Sequence, residues 1–292
     1  MRYADLSDAD CGIAQTMGVV GDWWTWLVLR EIAGGVTRFD RIQGSLGISR
    51  RALTERLALL VESEILARSA YSERPPRYDY VLTLKGEGLL SVLVAMQEFG
   101  DRYLLGDGSV SASSAADSAE ARRVNELVGR PMPALTLSAH DGTAVGVGRE
   151  PTGRWRVLFL FPGAFVPGDA PPSWGQVPGA AGCTLEATTY ASRHADFAAL
   201  GADVVGISTQ RPDELAAFAA FARLPYRLVS DDDTLLAAHL RLPLFRVSGQ
   251  ERYKRQTLLV SPEGSIAHVQ MPITDPAGSV TEMLAVVEGL RG

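Results

Sequence analysis

The chain has two residues able to act as sulfur nucleophiles, Cys11 and Cys183, and their surroundings differ. Cys183 ends the run Pro178-Gly-Ala-Ala-Gly-Cys and stands just before a stretch from Leu185 whose apolar spacing is helical. A cysteine at a helix N-terminus faces unpaired backbone N–H groups and the positive end of the dipole, which favour thiolate over thiol. Peroxide reduction by such a sulfur also needs donors that steady the departing oxygen, and Arg255, at the start of an apolar strand-like run, is the candidate cation. Without such company a single cysteine in an α/β core is a small apolar filler. A second chemistry is cationic. Ser49 is followed by Arg50, Arg51, Thr54 and Arg56 on one helical run, and a proline-bearing turn carries Arg74 and Arg77. Planar guanidinium forks at these places suit phosphates or the guanine edge of a duplex, although a charged helix face is otherwise simply solvated.

Composition sets the frame for these groups. At 292 residues the chain has the length of two domains of about 150 residues each. With 46% hydrophobic and 21% charged residues, a mainly disordered or fibrous chain is excluded. The net charge of −6 means that nucleic-acid binding requires a local basic patch. Two distant cysteines make neither a disulfide scaffold nor a zinc ribbon, so reduced thiols are expected. His140, His194, His239 and His268 lack metal-ligand spacing, and neither a metal nor a cofactor is expected. The N-terminal residues show no signal-peptide pattern and no apolar run reaches membrane length, so the expected location is cytoplasmic, without membrane partners.

The elements that must position the arginines lie before residue 106. Residues 23–32 read as a helix, and Phe39, Ile42 and Leu46 read as a short helix closing at Gly47. Ser49 is a natural N-cap for a helix with Leu53, Leu57, Leu60 and Val61 on its buried stripe, which makes a helix-turn-helix. Two strands, 66–71 and 78–82, flank a turn expected to hold both Pro75 and Pro76, giving an α+β winged helix. Such modules bind DNA or other proteins. A run from Lys85 to Leu105, with Leu89, Leu93, Met96 and Tyr103 expected on one side, offers apolar surface for dimer packing. The stretch 106–123 is rich in Gly, Ser, Ala and Asp and reads as a linker, dividing the chain into domains 1–105 and 124–292.

The second domain alternates strand and helix patterns. Strands are expected at 157–161 and 203–208, with a strand pair at 256–261 and 266–271 about Pro262-Glu263-Gly264. Helices are expected at 185–200, 212–223 and 280–290, which together imply an α/β layer.

Two family resemblances sharpen this reading. Cys11-Gly-Ile-Ala, residues 21–31 (GDWWTWLVLRE), Arg38-Phe39, Gly47-Ile-Ser-Arg-Arg-Ala-Leu53 and Pro75-Pro-Arg-Tyr-Asp-Tyr-Val-Leu-Thr83 resemble the HxlR family of winged-helix transcription regulators. The resemblance implies a homodimer reading a palindromic DNA operator, and an oxidant-sensing thiol at Cys11, although Gly12 stands where the family usually has proline. Phe161-Pro162, Trp174, Pro178 to Thr184, Glu186-Ala187, Gly206 to Gln210, Leu224-Pro-Tyr226, Leu228 to Asp231 and Lys254 to Leu258 resemble a peroxiredoxin of the thioredoxin fold, near the PrxQ-like branch. By that resemblance Cys183 is the peroxidatic thiol, Arg255 its activating arginine and Glu186 a nearby polar helper.

The departures from the peroxiredoxin pattern are specific. Read without a gap from Pro162, the pattern puts Val166 at its threonine and Asp169 at its cysteine; aligned on Cys183, the threonine position holds Ala180. The resolving-cysteine position holds Thr188, leaving an external thiol reductant, a Cys183–Cys183 bridge or a Cys183–Cys11 bridge. The expected function is a redox-responsive regulator in which peroxide or another electrophile oxidises Cys183 and DNA binding responds. Two alternatives stay open: a thiol-dependent peroxidase with an appended dimerising winged helix, and a regulator whose thioredoxin-fold domain binds a small ligand.

Overall fold

A computed structural model of the chain describes residues 10–74, 76–148 and 152–290. Pro75 therefore lies outside the described residues. The chain forms two compact units, Met1–Leu93 and Val94–Gly292.

In the first unit, α1 (Gly12–Val20) and α2 (Trp23–Ala33) precede α3 (Phe39–Leu46) and α4 (Arg50–Glu62). Asp22 caps α2 by accepting from the backbone N–H groups of Trp24 and Thr25, and Ser49 caps α4 by accepting from Ala52. Gly47 ends α3 at φ 63°, a left-handed conformation that glycine adopts without a Cβ penalty and that lets α4 depart at once. Leu53, Leu57 and Leu60 bring the buried stripe of α4 against Val28, Leu29 and Ile42. The antiparallel hairpin β1 (Leu66–Glu73) and β2 (Pro76–Leu82) pairs from Leu66 opposite Leu82 to Glu73 opposite Pro76, with a register shift between Ala70 and Ser72. Pro76 thus opens a strand instead of lying wholly within the turn. It sits at the tip, where a missing N–H costs no interior ladder bond.

The run from Lys85 is not one continuous amphipathic helix. A single turn α5 (Leu84–Glu87) is followed by α6 (Leu90–Phe99), which widens into a π-helical turn over Gly100–Leu104. Leu89 and Leu93 pack on the core of the first unit, whereas Val92, Met96, Phe99 and Tyr103 are exposed. The four residues expected on one face therefore divide between two, because the stripe at i, i+4 and i+7 starting from Val92 is a different row from that of Leu89 and Leu93.

In the second unit, α7 (Ala119–Asn125) leads to a seven-stranded mixed sheet. Its strands are β3 (Thr136–Ala139), β4 (Ala144–Gly146), β5 (Trp155–Leu160), β6 (Ala202–Ser208) and β7 (Arg227–Ser230), with a separate hairpin β8 (Leu244–Val247) and β9 (Gln250–Tyr253), then β10 (Gln256–Val260) and β11 (Ile266–Gln270). The sheet order is β11-β10-β5-β6-β7-β3-β4, parallel through β5, β6 and β7 and antiparallel elsewhere. Around it lie α8 (Cys183–Ser192), α9 (His194–Ala199), α10 (Pro212–Ala222), α11 (Leu235–Leu240) and α12 (Gly278–Gly289). The single helix expected over 185–200 breaks in two at Arg193. The α/β layer is present, and Phe159, Phe197, Phe218, Leu228 and Met283 fill its core.

The stretch 106–123 is more structured than its composition suggests: Ala112 is fully buried, and α7 begins at Ala119. No helix among the described residues is long and apolar enough to cross a membrane.

Because Leu53 is fully buried in the first unit's core, Leu53→Ala should destabilise that unit by about 2–5 kcal/mol. Hydrogen exchange checks this: α2 and α4 lose protection while the β5–β6 amides keep theirs, and equal loss in both units contradicts it.

Candidate functional site

Cys183 is the first residue of α8, and the turn before it is held open by Gly182 at φ 105°. A Cβ there would lie 2.8 Å from Pro276 Cγ, so glycine is required on both conformational and steric grounds. β10 is fed by Arg255, and the pairing of β10 with β5 directs this side chain toward the start of α8. Arg255 Nη2 donates to Cys183 Sγ at 3.2 Å and also faces the carbonyls of Gly179 at 3.3 Å and Ala181 at 3.4 Å. Arg255 Nη1 donates to Glu186 Oε2, one turn into α8, in a fully buried ion pair. The thiol itself points at the Ala180 carbonyl, 3.4 Å away. Cys183, Arg255 and Glu186, separated by up to 72 positions, thus meet in one cluster.

The cluster is dry. Cys183 is 4% exposed and Arg255 1%. Burial pushes the Cys183 thiol above its ordinary pKa; Arg255 works against that, Glu186 adds to it, and the Gly163 backbone N–H sides with Arg255. The expected net lowering by the helix N-terminus is therefore overturned, because the desolvation of a buried sulfur exceeds what its donors return. Burial also raises Glu186, to about 7, against the pull of Arg255. Burial alone would lower Arg255, but Cys183 and Glu186 together raise it. Glu186 Oε1 is buried without a hydrogen-bond partner, and the buried hydroxyls of Tyr190 and Thr257 face each other behind the ion pair.

Of the positions read for the missing hydroxyl, Ala180 meets the sulfur through its carbonyl alone. Thr188, at the resolving-cysteine position, bonds the backbone of Thr184 within its own helix. The groups around the sulfur are a guanidinium, a carbonyl and a peptide N–H. Cys11 belongs to the other unit, at the N-cap of α1, half-buried, and both cysteines are free thiols. Gly163 and Ala180 carry no side-chain chemistry that would mark them in a sequence.

In the first unit, the Arg51 side chain is 91% exposed and bridged to Glu55 at 3.0 Å. Arg50 reaches Asp40 at 3.4 Å and stacks over Phe39. Ser49 spends its hydroxyl on capping and Thr54 bonds the Arg50 carbonyl. Arg74 and Arg77 are exposed at the hairpin tip. Arg56 departs from the expected set: its Nε lies 2.8 Å from Asp22, the cap of α2, so it ties two helices together instead of joining the exposed arginines. A cleft of about 450 Å³ between α3 and the hairpin is lined by Arg38, Arg41, Arg50, Arg77, Tyr71 and Tyr78. Arg38 and Arg41 were not among the expected contacts; Arg38 stacks over Tyr71 at 4.3 Å and bridges Asp79.

Comparison with known proteins places both units. The HxlR-like helix-turn-helix family matches residues 19–107, and an uncharacterized HTH-type transcriptional regulator of Mycobacterium tuberculosis is 40% identical over 106 residues, 36% of this chain and 67% of that protein. The chain belongs to the HxlR-like helix-turn-helix family. A second such regulator, from Synechocystis, is 37% identical over 32% of this HxlR-like chain and 70% of its own. The AhpC/TSA family matches residues 177–269. The chloroplastic peroxiredoxin Q of Populus jackii is 26% identical over 62% of this chain and 76% of that protein. The solved structure of peroxidoxin BcpB from Mycobacterium tuberculosis aligns with 56% of the chain and 98% of its own, at TM-score 0.48 and 25% identity. This HxlR-like protein thus joins a transcriptional-regulator helix-turn-helix domain to a peroxiredoxin-like domain of thioredoxin-like fold.

Two outcomes follow from the Glu186 carboxylate. Glu186→Gln removes a charge that opposes the thiolate, so iodoacetamide should alkylate Cys183 several-fold faster at pH 7. Because the folded state holds the Glu186 proton more tightly than the unfolded chain, its contribution to stability is present at low pH and lost as pH rises through about 7. Wild type should therefore lose stability relative to Glu186→Gln between pH 5 and 8 in urea unfolding; a constant difference contradicts this.

Proposed function

We propose that this protein is a redox-responsive DNA-binding regulator in which Cys183 senses peroxide. The observation that carries the reading is the 3.2 Å contact between Arg255 Nη2 and Cys183 Sγ in a water-poor site. There the guanidinium stabilises thiolate as it forms and is placed to hold the oxygen that departs. The thiolate attacks the nearer peroxide oxygen. The S–O bond forms as the O–O bond breaks, the sulfur loses two electrons, and the leaving alkoxide or hydroxide takes up a proton to depart as alcohol or water. The resulting sulfenic acid then condenses with a second thiol, releasing water. A raised thiol pKa, with no hydroxyl bonded to the sulfur among the described residues, favours slow, signal-like oxidation over rapid turnover as a peroxidase.

On the DNA side, Arg50 and Arg51 at the start of α4 enter the major groove, while Arg74, Arg77 and the cleft arginines Arg38 and Arg41 hold phosphates. The exposed apolar stripe of α6 supports a homodimer, which would present two such helices to a palindromic operator. Cys11 is the second redox-sensing candidate.

A gel-shift titration tests the reading, using a duplex enriched from a random-sequence library by the reduced protein. Peroxide treatment should change the affinity of wild type and of Cys11→Ser at least tenfold and leave Cys183→Ser unchanged. A response that persists in Cys183→Ser, or rapid catalytic peroxide consumption without any change in DNA affinity, contradicts it.

A further inference from the structure

Residues 110–113 of the second unit are built into the thiol site. The Ala112 N–H donates to the Pro178 carbonyl at 2.9 Å, and the Arg255 backbone N–H donates to the Ala112 carbonyl at 2.9 Å. One residue therefore bridges the loop that precedes Cys183 and the residue that contacts its sulfur. Ser111 Oγ adds a bond to the Ser113 carbonyl at 2.8 Å. The fully buried Ala112 packs with Ala180, Phe245 and Val247, and Gly179 lies so close that a Cβ there would come within 2.7 Å of Ser113 Oγ. On either side of this strap, further bonds within the second unit hold the chain. Gln97 bonds the Leu242 carbonyl at 3.1 Å, Arg123 grips Asp101 at 2.9 and 2.6 Å, and Glu120 pairs with Lys254 at 2.6 Å.

The sulfur is coupled sterically to this strap. Its thiol points at the Ala180 carbonyl, and the Ala180 methyl shares a closed cluster with Ala112. Oxidation removes the S–H donor and adds an oxygen where packing leaves no room. A buried sulfenic acid also cannot meet a second thiol until the loop 178–182 and the first turn of α8 open, and that opening breaks the Pro178–Ala112 bond.

We propose that residues 110–113 are a positioning strap of the thiol site, and that oxidation at Cys183 releases the strap and so alters DNA binding. The proposal rests on the redox-responsive reading above and gives it a physical route. Before release, the strap fixes Arg255 through its backbone. After release, residues 110–113 lose their hold on the loop before α8 and on Arg255, while Gln97–Leu242 and Glu120–Lys254 still fasten the chain on either side.

Amide hydrogen exchange on the full-length chain, reduced and after one equivalent of hydrogen peroxide, tests this directly. The amides of Ala112 and Arg255 should exchange at least tenfold faster once mass spectrometry shows Cys183 oxidised, and should not change in peroxide-treated Cys183→Ser. Protection unchanged in the oxidised chain overturns the strap. A reduced Ala112→Asp variant, carrying a carboxylate into the closed cluster, should shift the pH profile of Cys183 alkylation and bind the selected duplex as oxidised wild type does, while Ala112→Gly keeps the wild-type profile. If Ala112→Asp does not fold, the wild-type exchange comparison still decides. DNA affinity that responds to peroxide while both amides stay protected overturns the strap and leaves the redox reading standing. Amides that open while neither peroxide nor Ala112→Asp moves DNA affinity overturn the redox reading, and with it the reporting role of the strap.

Discussion

A guanidinium taken out of water must find acceptors for its N–H groups, and at Arg255 those acceptors are parts of the thiol site itself. Glu186 takes one edge, and the carbonyls of Gly179 and Ala181 share the other with the Cys183 sulfur. The backbone of the same residue donates to Ala112. Leaving any of these unmet in a dry interior would cost several kcal/mol. The loop before α8, the first turn of α8, the start of β10 and the chain near residue 112 are therefore arranged around one buried cation.

That arrangement sets a balance and not a fixed charge. Burial drives the Cys183 thiol up and Arg255 draws it down, while Glu186 competes for the same guanidinium and opposes the thiolate. Under the proposed function, a sulfur so placed is protected from casual chemistry and reacts when a small oxidant reaches the guanidinium. This suits a sensor, which has to be oxidised once and then report, better than an enzyme, which has to regenerate its thiol quickly. On the same view, the exposed apolar row of α6 and the arginine cleft of the first unit are where the report is delivered.

Much of this was legible in the residues. Gly182-Cys183 ahead of a helical run marked the sulfur, the Lys254-Arg255 entry into an apolar strand marked its cation, and the Ser49 cap with its leucine stripe marked α4. What escaped has physical causes. Burial is a property of the packed molecule, so the direction of the Cys183 shift was misjudged from its helix position alone. Arg56 looked like its neighbours because Asp22, its partner, lies 34 positions away. The stretch 106–123 reads as solvent-facing because alanine and serine carry little apolar surface, yet smallness is what lets Ala112 fit into a closed cluster. Of the row read from Lys85 onward, Met96 and Tyr103 are exposed while Leu89 and Leu93 pack on the first unit's core, because the edge of that core runs along the row.

The most direct test of the central claim is the pH dependence of Cys183 alkylation in Arg255→Met beside wild type, with Cys11→Ser as background in both. If the buried guanidinium sustains the thiolate, its loss moves the alkylation midpoint up by at least about one pH unit and slows reaction at pH 7 by about tenfold or more. Oxidation by hydrogen peroxide should slow in parallel. An unchanged profile in a folded Arg255→Met protein would contradict the account at its root.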